Sequence, residues 1–210
     1  MLTTITGGLH SGHTQSMFRK MQGQQHNIFI TNDSAVLSAQ MEMAKQHIQG
    51  ACVGLSELAE FLATETGMSY KLLPKQEQLM LISKIIIDGK MLDLKVSRED
   101  NGVFIDVLNT INSFKCLSIT PADLEKHQED IYFDDINKLK DLIYVYSQFN
   151  QYLAQTETVT KEDLLVNVMR YGSIYNELSA NIYVDILDDY PYALRELLWW
   201  GASSSKLNVY

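Results

Sequence analysis

The chain has 210 residues, of which 46% are hydrophobic and 20% charged, with 11 glycines and only 3 prolines. This composition is typical of a globular protein with a buried core and excludes collagen-like and disordered chains. The 17 Lys and Arg residues against 26 Asp and Glu residues give a net charge of −9. That charge excludes a uniformly basic nucleic-acid module, because phosphate binding needs clustered cations.

The chain carries no targeting or metal-binding pattern. Residues 1–8 lack the basic stretch and apolar run of a signal peptide, and no segment approaches the roughly 18 apolar residues of a membrane span, so we expect a cytoplasmic protein. Cys52 and Cys116 form no CxxC pair and are predicted to be buried, inert thiols. The five histidines show no HxxxH or HExxH spacing, so we expect no metal site.

Strands and helices alternate in the first third of the chain. Residues 2–6 predict a first strand, and a helix follows from His13. Asn27–Thr31 predicts a buried second strand, and Ala51–Gly54 predicts a third strand followed by a helix. Gly50 is expected to end the helix between them, for which residues 32–34 offer N-cap side chains. Its predicted apolar face consists of Val36, Leu37, Met41 and Ala44. This order predicts an α/β domain with a parallel sheet.

From about Pro74 to Val168 the patterns are almost entirely helical. Thr120 and Thr160 each precede an acidic N3 residue and predict helix starts. Strand character returns at residues 181–186 and 206–210, with a helix at 192–200 between them. We therefore predict three segments: residues 1–70 as the first half of a core, 71–160 as a helical insertion and 161–210 as the second half. A strand at the last residue suggests a piece of a longer protein.

The glycine-rich stretch from Gly7 to Thr14 fits the phosphate-binding pattern G-x-x-x-x-G-[K]-[ST], in which His13 stands where the lysine belongs. Its backbone N–H groups, together with Ser11, Gly12 and Thr14, would surround a phosphate at a helix N-terminus. Histidine is shorter than lysine and mostly neutral near pH 7, so it does not replace that cation. The alternative is a glycine-rich turn that only joins strand to helix.

A second stretch, residues 182–190, is an apolar strand that ends in Asp185, a pattern in which the carboxylate holds Mg²⁺. The acid that commonly follows it in ATPases is replaced by Ile186. The alternative is a core strand whose following aspartates, Asp188 and Asp189, cap the next helix.

Aromatic residues near residue 150 leave two interpretations open. Tyr144, Tyr146, Phe149 and Tyr152 have helical spacing, which favours a core over a base-stacking surface.

The acidic residues Asp134 and Asp135 favour a solvated helix start.

Several stretches together resemble the N-terminal part of the AddB/RexB family, the B subunit of an ATP-dependent helicase/deoxyribonuclease. The most specific are residues 111–124, similar to the family's Ile-x-Glu-Phe-Lys and Ile-Thr-Pro segment, and residues 138–146, similar to its Lys-Leu-x-Asp-Leu helix. Residues 27–30, 54–59 and 183–185 resemble further family segments. The likeness covers most of the chain.

The resemblance implies a RecA-like P-loop parallel sheet interrupted by a mostly helical insertion. It also implies an inactivated, helicase-like module of a DNA-repair complex, which supports an AddA/RexA-like partner subunit and helps to recognise single-stranded DNA. The vestigial nucleotide site would comprise Gly7, Ser11, Gly12, His13, Thr14 and Asp185. Because the lysine and the second acid are replaced, we expect no catalysis, no required cofactor and at most weak binding of Mg-ATP. The alternatives are a working P-loop nucleotidase with a substituted lysine and a protein-interaction scaffold without nucleotide or DNA affinity.

Overall fold

The computed structural model of the chain describes residues 12–94, 101–129, 136–175, 180–185 and 207–209. These residues belong to two compact units, one of residues 1–69 and 167–210 and the other of residues 70–166. The first unit contains a parallel sheet and the second is helical. The predicted mixed α/β class is confirmed.

The sheet of the first unit has four described strands in the spatial order β2-β1-β3-β4. They are β1 (Asn27–Thr31), β2 (Gly50–Gly54), β3 (Ala180–Asp185) and β4 (Leu207–Val209), and every described pairing is parallel. Strand β1 lies at its centre with all five residues buried, as expected for an apolar run covered on both faces. The strand predicted at residues 2–6 lies outside the described residues.

Three described helices lie wholly in this unit: α1 (His13–Met21), α2 (Val36–Lys45) and α3 (Leu58–Thr66). Phe29 and Tyr183 are register partners on neighbouring strands, so their side chains lie on one face of the sheet. The ring of Phe18 from α1 packs 5.0 Å from that of Phe29, measured between centroids. Residues of α1 and α2 share one buried cluster with these two strand residues, which covers this face.

The apolar face predicted for α2 is wrong. Leu37 and Met41 are 69% and 55% exposed, and the buried residues of this helix are Ala39 and Met43. Apolar residues occupy two separate arcs of α2, at about 100° per residue. The arc of Ala39 and Met43 packs into the cluster that contains the strand residues Phe29 and Tyr183, and the other arc is exposed.

The end predicted for α2 at Gly50 is also wrong. The helix ends at Lys45, and His47 then takes a left-handed conformation with φ 55°. The amide of Ile48 donates to the carbonyl of Met43 at 2.9 Å, so a histidine occupies the position where glycine usually ends a helix. Gly50 begins β2 instead, and a Cβ there would collide with the backbone oxygen of Asn27.

The cap predicted from residues 32–34 is not formed by Asn32, whose side chain makes no capping hydrogen bond. A short 3-10 turn, Asp33–Ala35, comes before α2. The carboxylate of Asp33 accepts from the backbone N–H of Ser56 at 3.0 Å. This side chain therefore joins the loop after β1 to the loop after β2.

The second unit contains α4 (Lys75–Asp88), α5 (Asn101–Cys116), α6 (Pro121–Lys126) and α7 (Ile136–Thr156), and it includes the start of α8 (Lys161–Tyr175). Thr120 and Asp123 form the predicted capping box of α6, and Thr160 and Asp163 make the equivalent bonds at α8. The core collects apolar residues from α4, α5 and α7, including Ile82, Leu108 and Phe149. No described helix is both long and apolar enough to cross a membrane.

A buried lysine links three helices of this unit. The side chain of Lys115 on α5 is 4% exposed, and its Nζ lies 2.7 Å from a carboxylate oxygen of Asp163 on α8. The same ammonium donates to Asn150 on α7 at 2.9 Å and lies over the rings of Tyr146 and Phe149 at 5.6 and 5.5 Å. Because Asp163 also caps α8, one carboxylate serves both the cation and the helix start.

We expect Asp163→Ala to lower the free energy of unfolding of this unit by about 3–5 kcal/mol, because it leaves a buried ammonium without its counter-charge. Lys115→Met removes the charge and keeps an apolar stem, so we expect a smaller loss. Urea unfolding followed by circular dichroism measures both, with Lys138→Met on the exposed side of α7 as control. A larger loss for Lys115→Met than for Asp163→Ala would contradict the role given to the pair.

Two titratable side chains close to this pair, Cys116 and Tyr146, have raised pKa values. Burial raises the pKa of the Cys116 thiol to about 11, helped by the carboxylates of Glu162 and Asp163. Burial likewise raises the pKa of the Tyr146 hydroxyl to about 12, against a smaller opposing effect of Asn150. That hydroxyl donates to the carbonyl of Ile119 at 2.9 Å. Both cysteines are half-buried and not disulfide-bonded, and a raised pKa keeps Cys116 in its unreactive thiol form.

These raised pKa values predict a loss of stability at alkaline pH. Above about pH 9 the unfolded thiol and then the unfolded phenol release protons that the folded chain retains. Stability is therefore fully present below that pH and falls as the pH rises towards 11 and 12. Urea midpoints at pH 8, 10 and 11 measure this decline, which we expect to be shallower for Tyr146→Phe than for the exposed control Tyr152→Phe. Equal declines would contradict the assignment to Tyr146.

Candidate functional site

The carboxyl ends of three strands meet at one edge of the sheet. The register pairs Thr31 at the end of β1 with Gly54 of β2 on one side and with Asp185 of β3 on the other. Ligands of parallel α/β sheets bind outside the carboxyl ends of the strands. This edge is therefore the part of the first unit where a binding site is expected.

Helix α1 begins at this edge. Gly12 is its N-cap residue, with a left-handed φ of 77°, and His13 is its first helical residue. The hydroxyl of Thr14 donates to the carboxylate of Asp185 at 2.5 Å, although 171 positions separate the two residues in the sequence. The fold thus brings Thr14, from the predicted phosphate-binding stretch, together with Asp185 at the end of β3.

Asp185 is held from a second direction. The hydroxyl of Thr31 donates to the backbone carbonyl of Asp185 at 3.0 Å, and Thr31 is 4% exposed. Carbonyl and carboxylate of one residue are therefore fixed by hydroxyls from β1 and from α1. Sequence reasoning missed Thr31, whose only signal is a hydroxyl residue at the end of an apolar strand.

His13 occupies the place of the lysine in the predicted loop. Its side chain is half-buried, and its Nε2 atom has no access to solvent and no hydrogen-bond partner among the described residues. A buried polar nitrogen is usually paired. Within the described ranges, the residue that precedes Thr14 thus has a buried ring nitrogen with no hydrogen-bond partner.

The chemistry of this edge follows from three groups. The first turn of α1 contains no acidic side chain, so the positive end of the helix is not neutralised from within the helix. The Thr14 hydroxyl and the Asp185 carboxylate are oxygen ligands of the kind that Mg²⁺ prefers. No group of three or more His, Cys, Asp or Glu side chains that could hold a metal ion occurs in the described part of the chain.

Several other features predicted for this chain lie outside the described residues. Gly7 and Ser11 lie outside the described residues, as do Ile186 and the aspartates at 188 and 189. The same holds for the acidic residues 134 and 135 and for the helix predicted at 192–200. Of the six predicted site residues, the structure describes Gly12, His13, Thr14 and Asp185 and brings Thr14 into contact with Asp185.

The aromatic residues of α7 divide between core and surface. Tyr146 and Phe149 are 3% and 0% exposed, as a core interpretation predicts. Tyr144 and Tyr152 are 45% and 38% exposed. The core interpretation is therefore correct for the first pair and wrong for the second.

Comparison with known proteins identifies the family of the chain. A family model described as the N-terminal region of AddB matches residues 4–190. Three proteins, each named as the B subunit of an ATP-dependent helicase/deoxyribonuclease, come from the Loch Maree, Langeland and Okra strains of Clostridium botulinum and are 28% identical to this chain over 123 residues. The match covers 57% of this chain but only 11% of each relative. Because the family model spans most of the sequence, the chain belongs to the AddB N-terminal family.

Proposed function

We propose that this chain is a non-catalytic, helicase-like module of a bacterial ATP-dependent helicase/deoxyribonuclease that acts in double-strand break repair and recombination. In this role the first unit is a RecA-like P-loop core and the second is its helical insertion. The module supports a partner subunit of the AddA/RexA type and contributes to recognition of single-stranded DNA. Family membership and the names of the relatives support this assignment.

The observation that carries the non-catalytic part is that His13 stands at the lysine position of the motif, directly before Thr14, which contacts Asp185. The two groups suited to a magnesium ion are present and bonded to each other, whereas the fixed cation of the loop is absent. A charge-assisted contact to a phosphate contributes about 1.5–3 kcal/mol, so its loss weakens binding by about tenfold to a hundredfold. A module that keeps the pocket and lacks its cation is expected to give structural support and no turnover.

The retained pair also favours one alternative. If a nucleotide brought its own magnesium ion to Thr14 and Asp185, the chain would be a working nucleotide-binding domain with a substituted lysine. Titration calorimetry with Mg-ATP distinguishes the two functions.

For the natural chain we expect no turnover and no heat of Mg-ATP binding at micromolar concentrations. For His13→Lys we expect binding at least tenfold tighter, because the substitution restores the missing cation. His13→Gln, which restores no charge, is the matched control. Micromolar binding with hydrolysis by the natural chain would establish the alternative, and a His13→Lys variant that binds no better would remove the vestigial nucleotide site from the proposed function.

Single-stranded DNA binding is tested by filter binding with the natural chain alone and with the assembled helicase/nuclease complex. With a net charge of −9, we expect the chain alone to bind weakly and to lose that binding between about 50 and 200 mM salt. The assembled complex is expected to bind more tightly than the same complex assembled without this chain. Equal affinity of the two complexes would remove DNA recognition from the proposed function.

A further inference from the structure

The helical unit has a groove that the proposed function does not use. It lies between α4 and α7 and encloses about 570 Å³. Leu81 and Ile85 line it and also pack against the buried core of the unit. The floor of the groove is thus continuous with that core.

The walls of the groove are large apolar and aromatic side chains. Met80 on α4 is 70% exposed, and Tyr144 and Tyr152 on α7 are 45% and 38% exposed. The two tyrosines are eight positions apart, so they lie on one side of α7 about 12 Å apart along its axis. Exposed apolar surface that gathers in one groove is typical of a binding surface, whereas single exposed residues are ordinary.

Charge is distributed along the groove in a defined order. Glu77 and Asp88 lie on its α4 side, 11 positions apart and therefore about 16 Å apart along the helix, with Lys84 between them. Tyrosine hydroxyls and the amides of Gln148 and Gln151 supply uncharged hydrogen-bonding groups on the α7 side. A ligand that complements this groove is elongated and apolar on the face that contacts the groove. It is cationic at both ends, where Glu77 and Asp88 lie.

We propose that this groove binds an amphipathic helix of another protein, with basic residues at both ends of its apolar face. Two helices already form the walls, and a third helix can lay its i, i+3, i+4 and i+7 side chains between them. The exposed tyrosines are the type of residue that contributes most to such contacts. The acids outnumber the single lysine, so a phosphate backbone gains no net attraction here.

Fluorescence anisotropy with the full 210-residue chain tests the proposal. The probe is a labelled, side-chain-stapled helical peptide of about three to four turns, with leucines along one face and arginines at both ends. A matched peptide has glutamates in place of the arginines. We expect the basic peptide to bind at least fivefold more tightly than the acidic one.

Substitutions of groove residues test whether the peptide binds in the groove. Tyr144→Ala with Tyr152→Ala is expected to weaken the basic peptide by about tenfold or more. Met80→Glu changes a side chain that is 70% exposed, so it tests the groove without disturbing the core. Glu77→Lys with Asp88→Lys should reverse the preference between the two peptides. Asp106→Lys with Glu125→Lys, at exposed positions of α5 and α6, makes the same charge change and should leave the preference unaltered.

Four outcomes would overturn the proposal. The basic peptide could fail to bind at about 1 mM, or its preference could survive the charge reversal at Glu77 and Asp88. The tyrosine variants could weaken binding of single-stranded DNA instead, which would make the groove a base-stacking surface. Sedimentation could also show a dimer of this chain that Met80→Glu dissociates, which would make a second copy the occupant.

Discussion

The helical unit depends on the contacts of a buried charge, the ammonium of Lys115, which is almost fully shielded from solvent. The ammonium of Lys115 lies in the interior, where an unpaired charge is strongly unfavourable. It is compensated by the carboxylate of Asp163, the amide of Asn150 and the faces of two aromatic rings. These partners come from α7 and α8, so those helices must lie where they can reach α5. A neutral residue at position 115 would make none of these contacts with charge.

A second buried carboxylate of this unit, that of Asp141, also joins two of its segments. Asp141 on α7 is 3% exposed and accepts from the backbone N–H groups of Leu92, Asp93 and Leu94 at 2.7–2.9 Å. Those N–H groups lie in the turn after α4, outside any helix or strand. The carboxylate thus joins that turn, and with it the end of α4, to α7. The same two helices bound the groove and share the apolar core of the unit.

The sequence predicted the elements that depend on local pattern and missed those that depend on tertiary pairing. The strand at residues 27–31 was predicted with its observed bounds, because a short apolar run between polar residues has few other interpretations. The capping box at Thr120 was equally local. The buried arc of α2 was not predictable, because two apolar arcs compete and only the sheet decides between them. Lys115 and Asp141 were missed because a charged residue in a helix is normally solvated, and no pattern marks the exception.

At the candidate site, too, the sequence predicted single residues but not the contacts between them. The sequence indicated Thr14 and Asp185 separately, each as one end of a motif, but Thr31 becomes visible only when the strands are paired. Its hydroxyl holds the carbonyl of Asp185 and leaves the carboxylate directed at α1. The sheet register and the start of α1 together place Thr14 and Asp185 in contact.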